Sequence, residues 1–314
     1  MIDFVSATKY RCKGNIYLGN CKPFYCALNN SGWETYYLEG CEKMQVHYKP
    51  EIGIRVQGSL PYFLQGHNFK FENEGLIQAV DFIDSLLGSV GLWGAIVNAY
   101  EFGAIMQVEQ KPKDYIANHY ADAGSHLKAV INGKYEGKFA QWQRPDIDLK
   151  MYDAGANILM KQDFTRRAVI ESVGWNPASN YLKVEARHKK PFLNGKPVYL
   201  ETLQNKSFIE SQKAELMEQY HLLKPKKSIV MPSDKKNLTS LDAVLITLIE
   251  NSNMPVDQVK KLVYKTINQA DCLNKPDKDS RKAHICKAFG KIEEAPESKW
   301  DLSDKLEEAL QSEK

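Results

Sequence analysis

This 314-residue chain has no uninterrupted apolar run long enough to span a bilayer. Its longest apolar stretch, Leu86 to Val97, is broken by Gly88, Ser89, Gly91 and Gly94, which excludes a membrane helix there. The chain opens Met-Ile-Asp-Phe, without the basic segment of a secretory leader, so a cytoplasmic protein is expected, with no membrane partner. It has no Gly-x-x-x-x-Gly-Lys-Ser/Thr loop, which argues against ATP hydrolysis. Cysteine is scarce. Four of the six lie early, at 12, 21, 26 and 41, and separations of 9, 5 and 15 residues match no zinc knuckle. Reduced thiols are the expectation.

What is present suits a folded soluble body. Hydrophobic residues at 43% and charged residues at 26% exclude a disordered chain, and the length permits a sizeable core. The net charge of +3 hides an uneven distribution. Residues 183–236 hold 12 Lys/Arg against 6 Asp/Glu, and residues 291–314 hold 8 acids against 4 bases. A basic belt before an acidic tail suits a body that binds a polyanion. Charge alone fits a pair of lysine-rich surface helices equally well.

Aromatic and turn residues alternate through positions 1–60, which predicts short strands, and Pro61–Phe71 reads as a further strand. Helical spacing predicts a helix over 75–87, ended by Gly88. Strands are expected at 93–109, 127–132, 138–142, 148–159 and 180–188, with helices at 113–123, 163–173 and 207–222. In the 180–188 strand Tyr181, Lys183, Glu185 and Arg187 share one face and Leu182, Val184 and Ala186 the other, which predicts a sheet with an exposed working side. This gives an α+β body over 1–223, a basic linker over 224–236, and a small helical domain over 237–290. That domain could be a helix-turn-helix or a docking module. An acidic tail over 291–314, partly disordered or one exposed helix, completes the chain.

Three segments carry a resemblance in the same order: Phe63-Leu64-Gln65-Gly66-His67-Asn68-Phe69, Leu149-Lys150-Met151-Tyr152-Asp153, and Tyr181-Leu182-Lys183-Val184-Glu185-Ala186-Arg187-His188. Over roughly residues 50–200 the chain resembles the replication initiators of filamentous phages and related plasmids, the gene II/X family of rolling-circle endonucleases. The resemblance implies a central antiparallel sheet of the HUH-endonuclease type. It also implies a strand nicked and rejoined through a metal-assisted tyrosine transesterification, leaving a 5′-phosphotyrosine and a free 3′-OH.

Carried over residue by residue, the resemblance makes Tyr152 the nucleophile, with Tyr181 and Tyr199 in reserve. His67, Glu101 and Glu185 become ligands of one Mg²⁺ or Mn²⁺, whose preference for oxygen ligands suits two carboxylates and tolerates one imidazole. Ala99 and Glu101 stand where the family usually has arginine and aspartate. Ala154 replaces a lysine that relatives place two residues after the tyrosine, and Lys150, on the same strand face, is its natural substitute. Gln65, Asn68, Lys183, Arg187, Lys189 and Lys190 would position DNA. Origin DNA, single-stranded or supercoiled, is the expected partner, with a host helicase and polymerase and a homodimer as further expected associations. Two rivals stand beside this reading: a non-catalytic DNA-binding regulator on the same sheet, and a protein-binding scaffold that works through the C-terminal helices.

Overall fold

Alternation of apolar and polar residues builds the sheet at the centre of the molecule. In β1 (Ile2–Tyr10) Val5 and Ala7 enter the core, while Phe4, Ser6 and Thr8 pair across to the polar positions of a neighbour. The computed structural model describes residues 1–12, 16–23, 32–39, 41–122, 124–130, 138–161, 164–193, 195–230, 239–252, 254–295 and 297–312. After β1 come β2 (Cys21–Pro23), β3 (Glu34–Leu38), β4 (Cys41–Lys49) and β5 (Gly53–Ser59), an antiparallel set whose last member pairs with β1.

The segment after β5 overturns the expectation of a strand over Pro61–Phe71. It is a short helix, α1 (Leu60–Gln65), followed by a turn. The signals are local. Ser59 caps the helix by accepting from the Tyr62 N–H, proline sits in the first turn, and Gly66 ends it in the left-handed conformation at φ 77°. The period-two pattern around Phe63 and Gln65 therefore does not mark a strand.

α2 (Asn73–Leu86) buries Leu76, Ala79, Val80 and Ile83, as its spacing predicts. After a short 3₁₀ turn at Leu92–Gly94, β6 (Ile96–Val108) crosses the middle of the sheet. There follow α3 (Pro112–Ala117), β7 (His119–Ala121), β8 (Lys128–Val130), β9 (Phe139–Gln143), β10 (Ile147–Asp153), α4 (Ala154–Lys161), α5 (Phe164–Ser172) and β11 (Asn180–Lys189). The strand expected to reach 159 ends at Asp153, whose carboxylate accepts the Ala156 N–H at 2.8 Å and starts α4. Two-residue strands β12 (Phe192–Leu193) and β13 (Lys196–Pro197) form a hairpin, and α6 (Lys206–His221) follows.

The result is an α+β protein around one ten-stranded antiparallel sheet, in the order β2-β3-β4-β5-β1-β6-β11-β10-β9-β8. One face carries the apolar core, with Phe102, Ala104, Leu149, Met151, Leu182 and Val184 all fully buried. The opposite face carries the polar residues of the same strands.

The C-terminal third differs from expectation at both ends. β14 (Leu223–Pro225) pairs with β7, and the Lys226 Nζ donates to the carbonyls of Ile249, Glu250 and Ser252, so residues 223–226 are built into the fold rather than forming a linker. Residues 231–236 of the expected linker lie outside the described residues. β15 (Ile229–Val230), α7 (Ser240–Asn251), α8 (Val256–Gln269) and α9 (Lys275–Phe289) enclose a smaller apolar cluster of Ile229, Leu245, Ile249, Val259 and Phe289. β16 (Glu293–Glu294) pairs back to β15. The expected acidic tail ends in α10 (Ser303–Ser312), which packs on β6 and α6 with Leu302, Leu306 and Leu310 in the main core. Its charges lie on one side and its leucines recur at helical spacing, so net charge hid an amphipathic helix.

Candidate active site

The polar face of the central strands assembles a buried ionic cluster. Antiparallel register places Glu101 of β6, Arg187 of β11 and Asp148 of β10 side by side, then Gly103, Glu185 and Lys150 in the next row, then Ile105, Lys183 and Tyr152. Directly opposed residues share a face, so alternate positions of three strands converge. Gly103 makes room for the acid beside it. A Cβ there would lie 2.5 Å from the Glu185 Cβ and 2.6 Å from the Val184 carbonyl oxygen.

Lys150 bridges the two glutamates, its Nζ 2.6 Å from Glu101 Oε1 and 3.0 Å from Glu185 Oε1. Lys183 lies 2.8 Å from Glu185 Oε2 and 2.5 Å from Asp3 Oδ2. The Tyr152 hydroxyl donates to Glu185 Oε2 at 3.1 Å, and the Lys183 Nζ lies 5.7 Å from the centre of its ring. Arg187 reaches Glu101 at 3.5 Å and lies over the Phe4 ring. Three carboxylates thus face three cations. Burial is graded: the Lys183 side chain is 0% exposed, Lys150 12% and Arg187 36%, so the cluster opens to solvent at its Arg187 end.

The two glutamates are driven apart in acidity. Burial is the main force raising Glu101, and the charge of Glu185 adds to it against the pull of Lys150. Burial also acts to raise Glu185, but Lys183 and Lys150 outweigh it and hold that carboxyl below its usual value. Burial works against Asp3 as well, and Lys183, Asn68 and Ser59 bring it down to about 2. The Tyr152 phenol is raised well above its ordinary value, by burial first and by Glu185 second. Lys183 is raised well above its own because Asp3 and Glu185 overcome the cost of burial.

A scan against known protein families finds no match for this chain, and a search of curated proteins finds none either. The geometry therefore stands on its own. It brings together Tyr152, Lys150, Glu101, Glu185, Lys183 and Arg187 from the sequence-based set. Asn68 joins through Asp3, donating to its Oδ2 at 2.9 Å. Asp3 itself was missed. The available signal was a single acid inside the apolar run Met1-Ile2-Asp3-Phe4-Val5, the same signal that marks Glu101.

The other expected residues take different places. His67 is buried beyond α1, and its Nδ1 accepts the Phe69 N–H at 3.2 Å, which closes a turn; burial lowers its pKa. Gln65 donates to the carbonyls of His67, Phe69 and Lys70 and ties the same turn. Lys183, expected to touch DNA, is fully enclosed. Lys189 is paired with Asp148 at 2.6 Å, and Lys190 is exposed beside it. Tyr181 is buried against Phe69 and Trp175, and its hydroxyl accepts the Asn176 N–H at 3.0 Å, which makes it a packing residue. Tyr199 bridges to Ile96, five residues before Glu101 and so roughly 16 Å away along an extended strand.

The expected ligand set for one divalent ion does not fit this arrangement. Both Glu185 oxygens and one oxygen of Glu101 already meet ammonium groups, and His67 Nδ1 is taken by its own turn. Among the described residues no three His, Cys, Asp or Glu side chains converge on one point. A cation would also have to enter beside Lys150, Lys183 and Arg187, against their charge.

Proposed function

We propose that this chain is a nicking and rejoining endonuclease of the rolling-circle initiator type, with the sheet serving as an HUH-like platform and Tyr152 as nucleophile. The observation that carries it is the Tyr152 hydroxyl hydrogen-bonded to Glu185 within a cluster that holds two lysines and an arginine. A tyrosine suits strand transfer because its phosphodiester is stable enough to persist and reactive enough to be reversed. The phenol, its acidity held well below the ordinary, stays protonated at neutral pH, so it needs a base at its oxygen, and Glu185 is there.

The opposed acidities of the glutamates assign their roles. Glu185 is held ionised and takes the phenolic proton as the tyrosine oxygen bonds to phosphorus. Glu101, the weaker acid, is the one of the two that takes up a proton more readily. In its protonated form it hands that proton to the departing 3′ oxygen as the P–O3′ bond breaks. The products are a 5′-phosphotyrosine and a free 3′-OH, and rejoining reverses both transfers. Lys150 and Arg187, nearest the open end, draw charge from the non-bridging oxygens. Nothing in the sequence supplies ATP-driven strand separation, so a host helicase and polymerase would complete replication.

The test is covalent capture. Labelled single-stranded oligonucleotides tiled across the DNA flanking the gene are incubated with the protein, in Mn²⁺ and separately in chelator, and run under denaturing conditions. An adduct that forms in both and vanishes in Tyr152→Phe is the expected result. An adduct that survives in Tyr152→Phe removes Tyr152 as nucleophile, and one that needs Mn²⁺ removes the metal-free assignment. One observation favours a non-catalytic DNA-binding regulator instead: the cluster is already internally charge-paired, as a purely structural ion network would be. That reading requires DNA binding with no adduct under either condition.

A further inference from the structure

The polar face that holds the cluster does not stop at β6. It continues across β1, β5, β4 and β3, where opposed pairs such as Thr8 with Arg55, Gln45 with Gln57 and Gln45 with Tyr37 carry it outward. On the core side of these strands Leu38, Met44, Val46, Ile54 and Val56 are buried. On the polar side Thr35, Tyr37, Gln45, His47, Arg55 and Gln57 all keep part of their surface in solvent. One side of this half of the sheet is packed and the other is open over β3, β4 and β5. On β1 Phe4 is part-exposed, while Ser6 and Thr8 lie buried beneath the face.

The open side has a distinctive composition. Trp33, Tyr37 and Phe4 are interleaved with basic groups from Lys22, Lys49, Arg55 and Arg187. Arg55 lies over the Trp33 ring at 5.1 Å and Arg187 over the Phe4 ring at 4.8 Å, so each guanidinium is held beside an aromatic ring. Among the described residues on this face, β2 through β5 contribute no carboxylate; Glu39, in the turn after β3, pairs with Lys22 at 3.2 Å at the outer edge, and the next acid is Asp3, at the cluster. Rings alternating with cations offer stacking to bases and pairing to phosphates.

We infer that this face is a binding track for single-stranded DNA, running from Trp33 on the β3 side to Arg187 at the mouth of the ionic cluster. The track spans five strand spacings, about 24 Å at about 4.8 Å each. That suits several nucleotides, within the roughly 4–16 that single-strand platforms engage. It deepens the proposed cleavage and rests on that reading for its destination, since the strand would reach Tyr152 through Arg187. A duplex holds its bases stacked inside and cannot present them to the rings, so the track selects unpaired strands.

Binding can be measured apart from cleavage. Full-length Tyr152→Phe protein, which forms no Tyr152 adduct, is titrated into fluorescein-labelled dT20 at several salt concentrations and followed by anisotropy. Trp33→Ala and Tyr37→Ala added to that background each weaken binding roughly tenfold, the order expected for lost base stacking, whereas Trp33→Phe keeps most of the affinity. Arg55→Gln lowers the slope of log affinity against log salt by about 0.7, the loss of one phosphate contact. Lys282→Gln on α9 changes neither quantity. Melting temperatures identify any variant that fails to fold, and a 20-base-pair duplex competes poorly. Unchanged affinity and slope in the folded Trp33, Tyr37 and Arg55 variants would overturn the track, as would an equal loss in Lys282→Gln. A chain that binds dT20 through these residues but never forms an adduct refutes the cleavage reading and leaves the track standing.

Discussion

Lys183 shows how burial changes the role of a charged residue. In the sequence it is one of several bases in a strand, a natural phosphate contact. In the structure it is sealed between Asp3 and Glu185 and supports Tyr152 from beneath. Lys183→Met would leave two carboxylates buried without their main counter-ion, and the expected loss is about 3–5 kcal/mol in urea denaturation. A loss below about 1 kcal/mol, the size of a surface pair, would contradict this burial. Glu101 gives the second expectation at this scale. A raised acid that must be protonated to act loses function as pH climbs past its folded value, while Glu185, held low, stays ionised. Adduct formation should therefore show a plateau that falls on the alkaline side. Glu101→Gln should be slower by about 10²–10⁴ and lack that falling limb. A variant that keeps the same alkaline decline would take the acid role from Glu101.

At the scale of elements, register does the assembly, and the strands were the part most legible in the sequence. Lys183 and Glu185 announce the polar face of β11 by alternation alone, and Lys150 and Tyr152 do so for β10. Which strands lie beside them was not legible, because pairing of β1 with β6 depends on contacts nearly a hundred residues apart. That is why Asp3 escaped notice, and why Gly103 carried no signal. Its purpose exists only once Glu185 lies opposite. Gly103→Ala is expected to force the strands apart at this point, costing about 1–3 kcal/mol and weakening adduct formation, whereas Gly124→Ala, with open space around it, should do neither. α1 misled for a different reason. Six residues, all but Gln65 apolar or aromatic, carry too little period to mark a helix, and the deciding signals were Ser59 and Gly66 at its ends. α10 misled because composition was read before spacing. Leu306→Ala, in a side chain fully buried against the main core, should cost about 2–5 kcal/mol; a cost near zero would mean that this helix does not dock.

The whole molecule places histidines where charge is unwelcome, and this sets its response to acid. Burial is the leading cause of a lowered pKa at His47, His67, His119 and His188, and His188, stacked on Tyr100 at 4.6 Å, falls to about 4. The unfolded chain takes up protons near pH 6.5 that the folded chain refuses until a lower pH. Stability is therefore full above about 6.5 and declines as pH falls below it, and for His188 the decline runs down to about 4. That residue alone would account for about 3 kcal/mol across the window. Asp3 acts in the same direction lower down. Its folded value of about 2 lies below the ordinary 3.8, so its ion pair with Lys183 is lost only as pH drops through that range. The molecule should thus weaken in two stages, first through its histidines and then through its carboxylates. Urea midpoints at pH 7.5, 6, 5 and 4 would trace the first stage. His188→Phe, which keeps a ring against Tyr100 but cannot take a proton, should flatten the curve between 6.5 and 4 by roughly the His188 share. Wild-type midpoints that stay level from pH 7.5 to 5 would mean that these imidazoles are charged in the folded protein, and that the core around β11 is wetter than the packing of Tyr100, His188 and Phe208 allows.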